Sequence, residues 1–93
     1  MRNPQAKIGS KEREELVSFI LNHSKSRNEV EFLLRDLFTL NEVNELVARL
    51  QIVKMLKQGM SHSEISHKLH TTRVTISRGA KALNKSKGAF SKL

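Results

Sequence analysis

Residues 60–83 read MSHSEISHKLHTTRVTISRGAKAL, and this stretch decides the fold. Ser61 and Glu64 make an S-x-x-E capping box, which starts a short helix with Ile65 and Leu69 inward. The helix ends near Leu69, and the turn that follows must leave the right-handed region. His70 stands where many such turns place Gly, and it accepts positive φ more readily than a β-branched residue would. Thr72 is placed to cap a second helix, on which Ile76, Ala80 and Leu83 pack inward. Ser66 is the small residue at the helix crossing. The pattern predicts a helix-turn-helix. Any two short helices crossing at a small residue can mimic it; the T-I-S-R run at 75–78 strengthens it.

The second helix opens with hydroxyl and cationic side chains, the chemistry that reaches DNA base edges and phosphates. Arg73, Val74, Thr75 and Ser77 are the groove-facing candidates. Arg73 can donate two hydrogen bonds to guanine, and Val74 can touch a thymine methyl. Ser61, His62, Ser63 and Lys68 are expected near the DNA backbone. Lys81, Lys85 and Lys87 are phosphate contacts or solvated charge. The plainer alternative for Thr75 and Ser77 is surface filling.

Charge placement agrees. The net charge is +8, but residues 29–58 carry four Lys/Arg against five Asp/Glu, whereas residues 59–93 carry seven against one. Basic charge concentrated on the motif and its tail is the footprint of a protein that meets a polyanion. A solubilising tail is the alternative.

Outward from the motif, the chain reads as all-α. It has 93 residues, one Pro and no Trp, Tyr or Cys. Such a length makes one small domain with a modest core, which dimerisation would help stabilise. The lack of cysteine excludes a disulfide framework. No apolar run approaches a membrane span or a signal-peptide core, so a cytoplasmic protein with no membrane partner is expected.

Residues 1–9, with Pro4 and Gly9, read as a loose arm. Ser10 is expected to cap a helix with Glu12 in its first turn and Leu16, Val17, Ile20 and Leu21 on one face. Ser26 and Glu29 form a capping box ahead of Val30, Leu33, Leu34, Leu37 and Phe38. Thr39 and Glu42 form another, ahead of the longest helix, with Val43, Leu46, Val47, Leu50, Val53 and Leu56 in a stripe. Gly59 terminates it. That stripe exceeds what two short neighbours need, so a partner chain could cover the rest; ordinary intrachain core is the other reading. The expected organisation is an arm (1–9), a helical dimerisation core (10–59), the helix-turn-helix (60–84) and a basic tail (85–93).

From Val30 to Lys85 the sequence resembles the tryptophan repressor superfamily. The resemblance rests on D-L-F-T-L-N-E at 36–42, A-R-L-Q-I-V at 48–53, Met60–Ser61, and T-I-S-R-G-x-x-x-L at 75–83. It implies an intertwined all-α homodimer. It also implies a pocket between the helix-turn-helix and the dimer core, where an amino acid wedges in and tilts the reading heads. Thr39, Arg49, Arg78 and Gly79 match pocket positions. Two guanidinium planes can bracket an indole and bind a carboxylate, and Gly79 would leave room. L-tryptophan is therefore the implied corepressor, with no other cofactor required. Three departures stand against a full carry-over. Ala82 replaces a serine that meets the ligand's amino group, and Asp36 replaces a pocket leucine. The chain ends at Leu93, so a truncated C-terminal helix is expected, and the linker before the helix-turn-helix looks one residue short. The competing assignment has Arg78 on phosphate and Arg49 paired with an acidic residue such as Glu45.

His62, His67 and His70 do not make a metal site, because the helix break after Leu69 spreads them and no cysteine joins them. No nucleophile–base pair or phosphate-cradling loop is present, so no enzyme is expected. The expectation is a homodimeric, sequence-specific regulator of transcription, a repressor, on double-stranded DNA. The alternative is a ligand-independent module that docks on the transcription or replication machinery. Such a face should be apolar, whereas Arg73, Thr75 and Ser77 are polar.

Overall fold

The computed structural model describes residues 8–93. Residues 1–7 of the expected N-terminal arm lie outside the described residues. The described chain is all-α: α1 (Ser10–Asn22), α2 (Arg27–Leu37), α3 (Leu40–Lys57), α4 (His62–Leu69) and α5 (Arg73–Asn84). It divides into two compact units, one up to Thr39 and one of Leu40–Leu93.

In the first unit the caps differ in detail from the sequence expectation. Gly9, not Ser10, is the N-cap of α1. Glu12 explains the shift: it lies three residues beyond Gly9, and its carboxylate accepts the Gly9 N–H at 2.9 Å. Ser26 caps α2 as expected, accepting the Glu29 N–H at 3.2 Å. The return bond goes one residue further back, from the Lys25 N–H to Glu29 at 2.8 Å. Phe38 falls outside α2, in extended backbone. α1 has no buried residue, and α2 buries only Leu33.

The second unit has a closed core. Ile52, Met55, Ile65 and Ile76 form it, with Leu56, Met60 and Leu69 packed around them. Ile52, Ile65 and Ile76 have no exposure. Each contributes about 1.5–3 kcal/mol of hydrophobic stabilisation. The stripe expected on α3 is corrected here. Its C-terminal members hold, Val53 being fully buried and Leu56 packed on the core, but the core residues of α3 are Ile52 and Met55, while Leu46, Val47 and Leu50 stay exposed. At 100° per residue those three lie on the opposite side of the helix from Ala48, Ile52 and Met55. α3 is therefore apolar on two opposed faces, and one of them packs on its own helix-turn-helix.

The crossing of α3 and α5 depends on Gly79. A Cβ there would come within 2.5 Å of Ile52 Cγ2 and 3.0 Å of Ile52 Cβ. The glycine sets how closely the two helices approach. Beyond α5 the chain continues in turns, and Lys57 Nζ donates to the Phe90 carbonyl at 2.5 Å.

Candidate nucleic-acid interface

Local hydrogen bonds shape the helix-turn-helix. Ser61 Oγ accepts the Glu64 N–H at 3.1 Å, and Glu64 accepts the Ser61 N–H at 3.0 Å. The Ser61 backbone amide, and then its hydroxyl, hold the Glu64 carboxyl below its ordinary range. α4 ends on His70 in the left-handed region, at φ 52° and ψ 46°. The sequence marked this position as the turn, and the strain is carried by a side chain other than glycine.

Ser66 does more than permit the crossing. Its carbonyl accepts the N–H groups of His70 and Thr71, and its hydroxyl donates to the Thr71 carbonyl at 2.9 Å. One residue thus clamps the turn from both directions. Thr72 then caps α5, accepting the Thr75 N–H at 3.3 Å.

With these constraints, Arg73, Ser77 and Lys81 repeat every four residues along the exposed face of α5, with Val74 beside them. Val74 is 60% exposed. Ile76 and Gly79 are buried on the other face. Thr75 sits between. It is half-buried, and its hydroxyl lies 3.1 Å from that of Thr72. The cap therefore competes with any base for this hydroxyl. On α4, Ser61, His62, Ser63 and Lys68 are all exposed.

Two of the residues matched to a ligand pocket come together. Arg49 and Arg78 line a cavity of about 330 Å³ with Asn41, Asn44, Glu45, Ala48 and Thr75. Among the described residues neither arginine has an ion pair, so the expected alternative pairing of Arg49 with Glu45 does not form, though both face the cavity. Gly79 faces Ile52, and Thr39 closes the first unit. Asn41 and Asn44 escaped the sequence reading as cavity residues, and Glu45 entered it only as a partner for Arg49. Their signal was the spacing 41, 44/45, 48, 52, which puts them on the Ile52 face of α3. Ser66 and His67 were read in other roles, at the helix crossing and in a rejected metal set: with His62, Ser63 and Arg73 they line a second cavity of about 260 Å³.

Among the described residues no group of three or more His, Cys, Asp or Glu could hold a metal ion, and no helix is long and apolar enough to cross a membrane.

The sequence matches the family model for Trp repressor protein over residues 11–93. It is 32% identical over 84 residues to "Uncharacterized protein YerC" of Bacillus subtilis (strain 168), an alignment covering 90% of this chain and 80% of that protein. No solved structure matches it.

Proposed function

The chain belongs to the Trp repressor protein family, whose membership points to a DNA-binding regulator, and on that premise we propose that it is a homodimeric, sequence-specific repressor of transcription. The observation that carries this reading is the exposed row Arg73, Val74, Ser77 and Lys81 on a helix whose start and depth are fixed by Thr72 and Gly79. That row offers a guanidinium for guanine, a methyl surface for thymine, a hydroxyl and a phosphate-binding ammonium. The dimer is supported by the apolar face of α3 left open at Leu46, Val47 and Leu50. Two such heads would read half-sites about one helical turn, roughly 34–36 Å, apart. A cytoplasmic location belongs to the same proposal.

The test is binding to duplexes selected from a random pool, at two salt concentrations. Affinity for all duplexes falls with salt when phosphates are neutralised. Arg73→Ala is expected to cost about 1–3 kcal/mol on the selected sequence and to relax preference at one base pair. Salt-independent affinity, or an equal loss on every duplex, overturns the base-reading role.

The cavity between α3 and α5 supports a second reading, an amino-acid effector site. Arg49 and Arg78 could take the carboxylate, and L-tryptophan is the ligand to try first. Its lining mixes polar and apolar surface and includes two asparagines and Glu45, where an indole calls for mainly apolar walls. Calorimetric titration with L-tryptophan decides: no heat at millimolar ligand removes tryptophan from the account.

A further inference from the structure

The second cavity lies where α4 meets the start of α5 and shares Arg73 with the base-reading row. His62, Ser63, Ser66 and His67 of α4 line it, and Arg73 closes it from the first position of α5. His62 and Ser66 are four residues apart, as are Ser63 and His67, so all four share one helix face. The Ser66 hydroxyl is committed to Thr71. The two imidazoles and the Arg73 guanidinium have no hydrogen bond or ion pair among the described residues. All three are exposed and converge on one hollow.

The charged surroundings favour an anion there. On α4 the one carboxylate, Glu64, is turned back onto the Ser61 N–H at 3.0 Å. Lys68 and His70 are exposed on the same segment. α5 contributes Arg73. α3, the other helix packed on α4, contributes no lining residue; its closing charges are Lys54 and Lys57, the latter bonded to the Phe90 carbonyl.

We propose that this hollow seats a backbone phosphodiester of the bound DNA, and that His62 and His67 hold it as imidazolium groups. DNA association then takes up protons. The proposal rests on the DNA-binding function above and adds its regulation by pH. A phosphodiester keeps one negative charge across the neutral range, so any pH dependence belongs to the protein. Histidine is the side chain that changes charge between about pH 5 and pH 8. Once protonated, each ring donates a charge-assisted hydrogen bond to the phosphate, which helps displace condensed counterions.

The experiment measures the affinity of the full chain for one duplex at about pH 8 and about pH 6, at fixed salt. At least about tenfold tightening at the lower pH is expected, with the salt slope steeper by about 1. The His62→Gln/His67→Gln double variant should lose this pH dependence, and His23→Gln, at the C-cap of α1, should keep it. Calorimetry of the unaltered protein in two buffers of different ionisation enthalpy should show net proton uptake on binding, a readout independent of whether variants fold. Binding with no pH dependence and no proton uptake overturns the proposal while leaving the DNA function intact. Dependence that persists in the folded double variant assigns the proton elsewhere and also overturns it. Absence of binding at either pH defeats the DNA reading itself.

Discussion

The two units of this chain bury their apolar residues to very different extents. In the second, three isoleucines from three helices are sealed completely. In the first, α1 buries nothing, and Leu16, Val17, Phe19 and Leu21 remain between 41% and 69% exposed. Both units were built from the same kind of apolar periodicity. The difference teaches that a stripe on a helix states a need for cover without naming what provides it. The helix-turn-helix unit meets that need within itself. α1 and the outer face of α3 leave theirs to a second chain under the proposed dimer.

The sharpest way to break the contrast is at the seam of the closed unit. Gly79→Ala pushes a methyl against Ile52 Cγ2 and Cβ, atoms at the root of a side chain that cannot swing away. A loss of about 2–3 kcal/mol is expected in chemical denaturation. A change under about 0.5 kcal/mol, the range of ordinary surface substitutions, would mean the helices can part without cost.

Next comes the open face. Leu50→Glu places a charge on an exposed apolar patch and should weaken self-association at least tenfold, or about 1.4 kcal/mol. Sedimentation would show the mass moving from two chains toward one. The parent's thermal midpoint should rise with protein concentration, as it does for linked folding and association. A parent that sediments as one chain, with a concentration-independent midpoint, would leave the face without its proposed cover.

The smallest effect tests the cap that starts α4. Ser61→Ala should cost about 1 kcal/mol. Glu64 has a folded-state pKa below its ordinary 4.5, so its unfolded form takes up a proton first as pH falls. Its stabilising contribution is present above 4.5 and is lost as the pH drops through the lower, folded value. The thermal midpoint of Glu64→Gln should therefore trail the parent at neutral pH, with the gap closing in acid. A gap unchanged by acid would assign the effect to something other than this carboxylate.

Much of the helix-turn-helix could be read directly. The Ser61–Glu64 box, the left-handed His70 and the Thr72 cap all stand where the residues placed them. Two smaller features were misread, although their signals were present. Glu12 selects Gly9 by its spacing of three, and Glu29 is long enough to reach past Ser26 to Lys25. α3 was harder for a physical reason. With apolar residues at 43, 46, 47 and 50 and again at 48, 52 and 55, it has no single apolar face. Periodicity alone put Val53, which is fully buried, in the stripe and passed over Ile52, which is buried as well. The role assigned to Gly79 shifted for the same reason. A glycine beside a ligand pocket and a glycine beneath a crossing helix look alike until Ile52 is in place.

The sequence by itself therefore determined the elements: where helices start, where they stop, and which turn joins α4 to α5. Those features rest on hydrogen bonds between groups within about five residues of each other, whose geometry the local residue types dictate. Tertiary structure decided the faces: which side of α3 meets α5, that Arg49 and Arg78 share a cavity, and that His62, His67 and Arg73 converge on another. Burial is the reason. It depends on which surfaces meet across the fold, and no short window of sequence contains both partners.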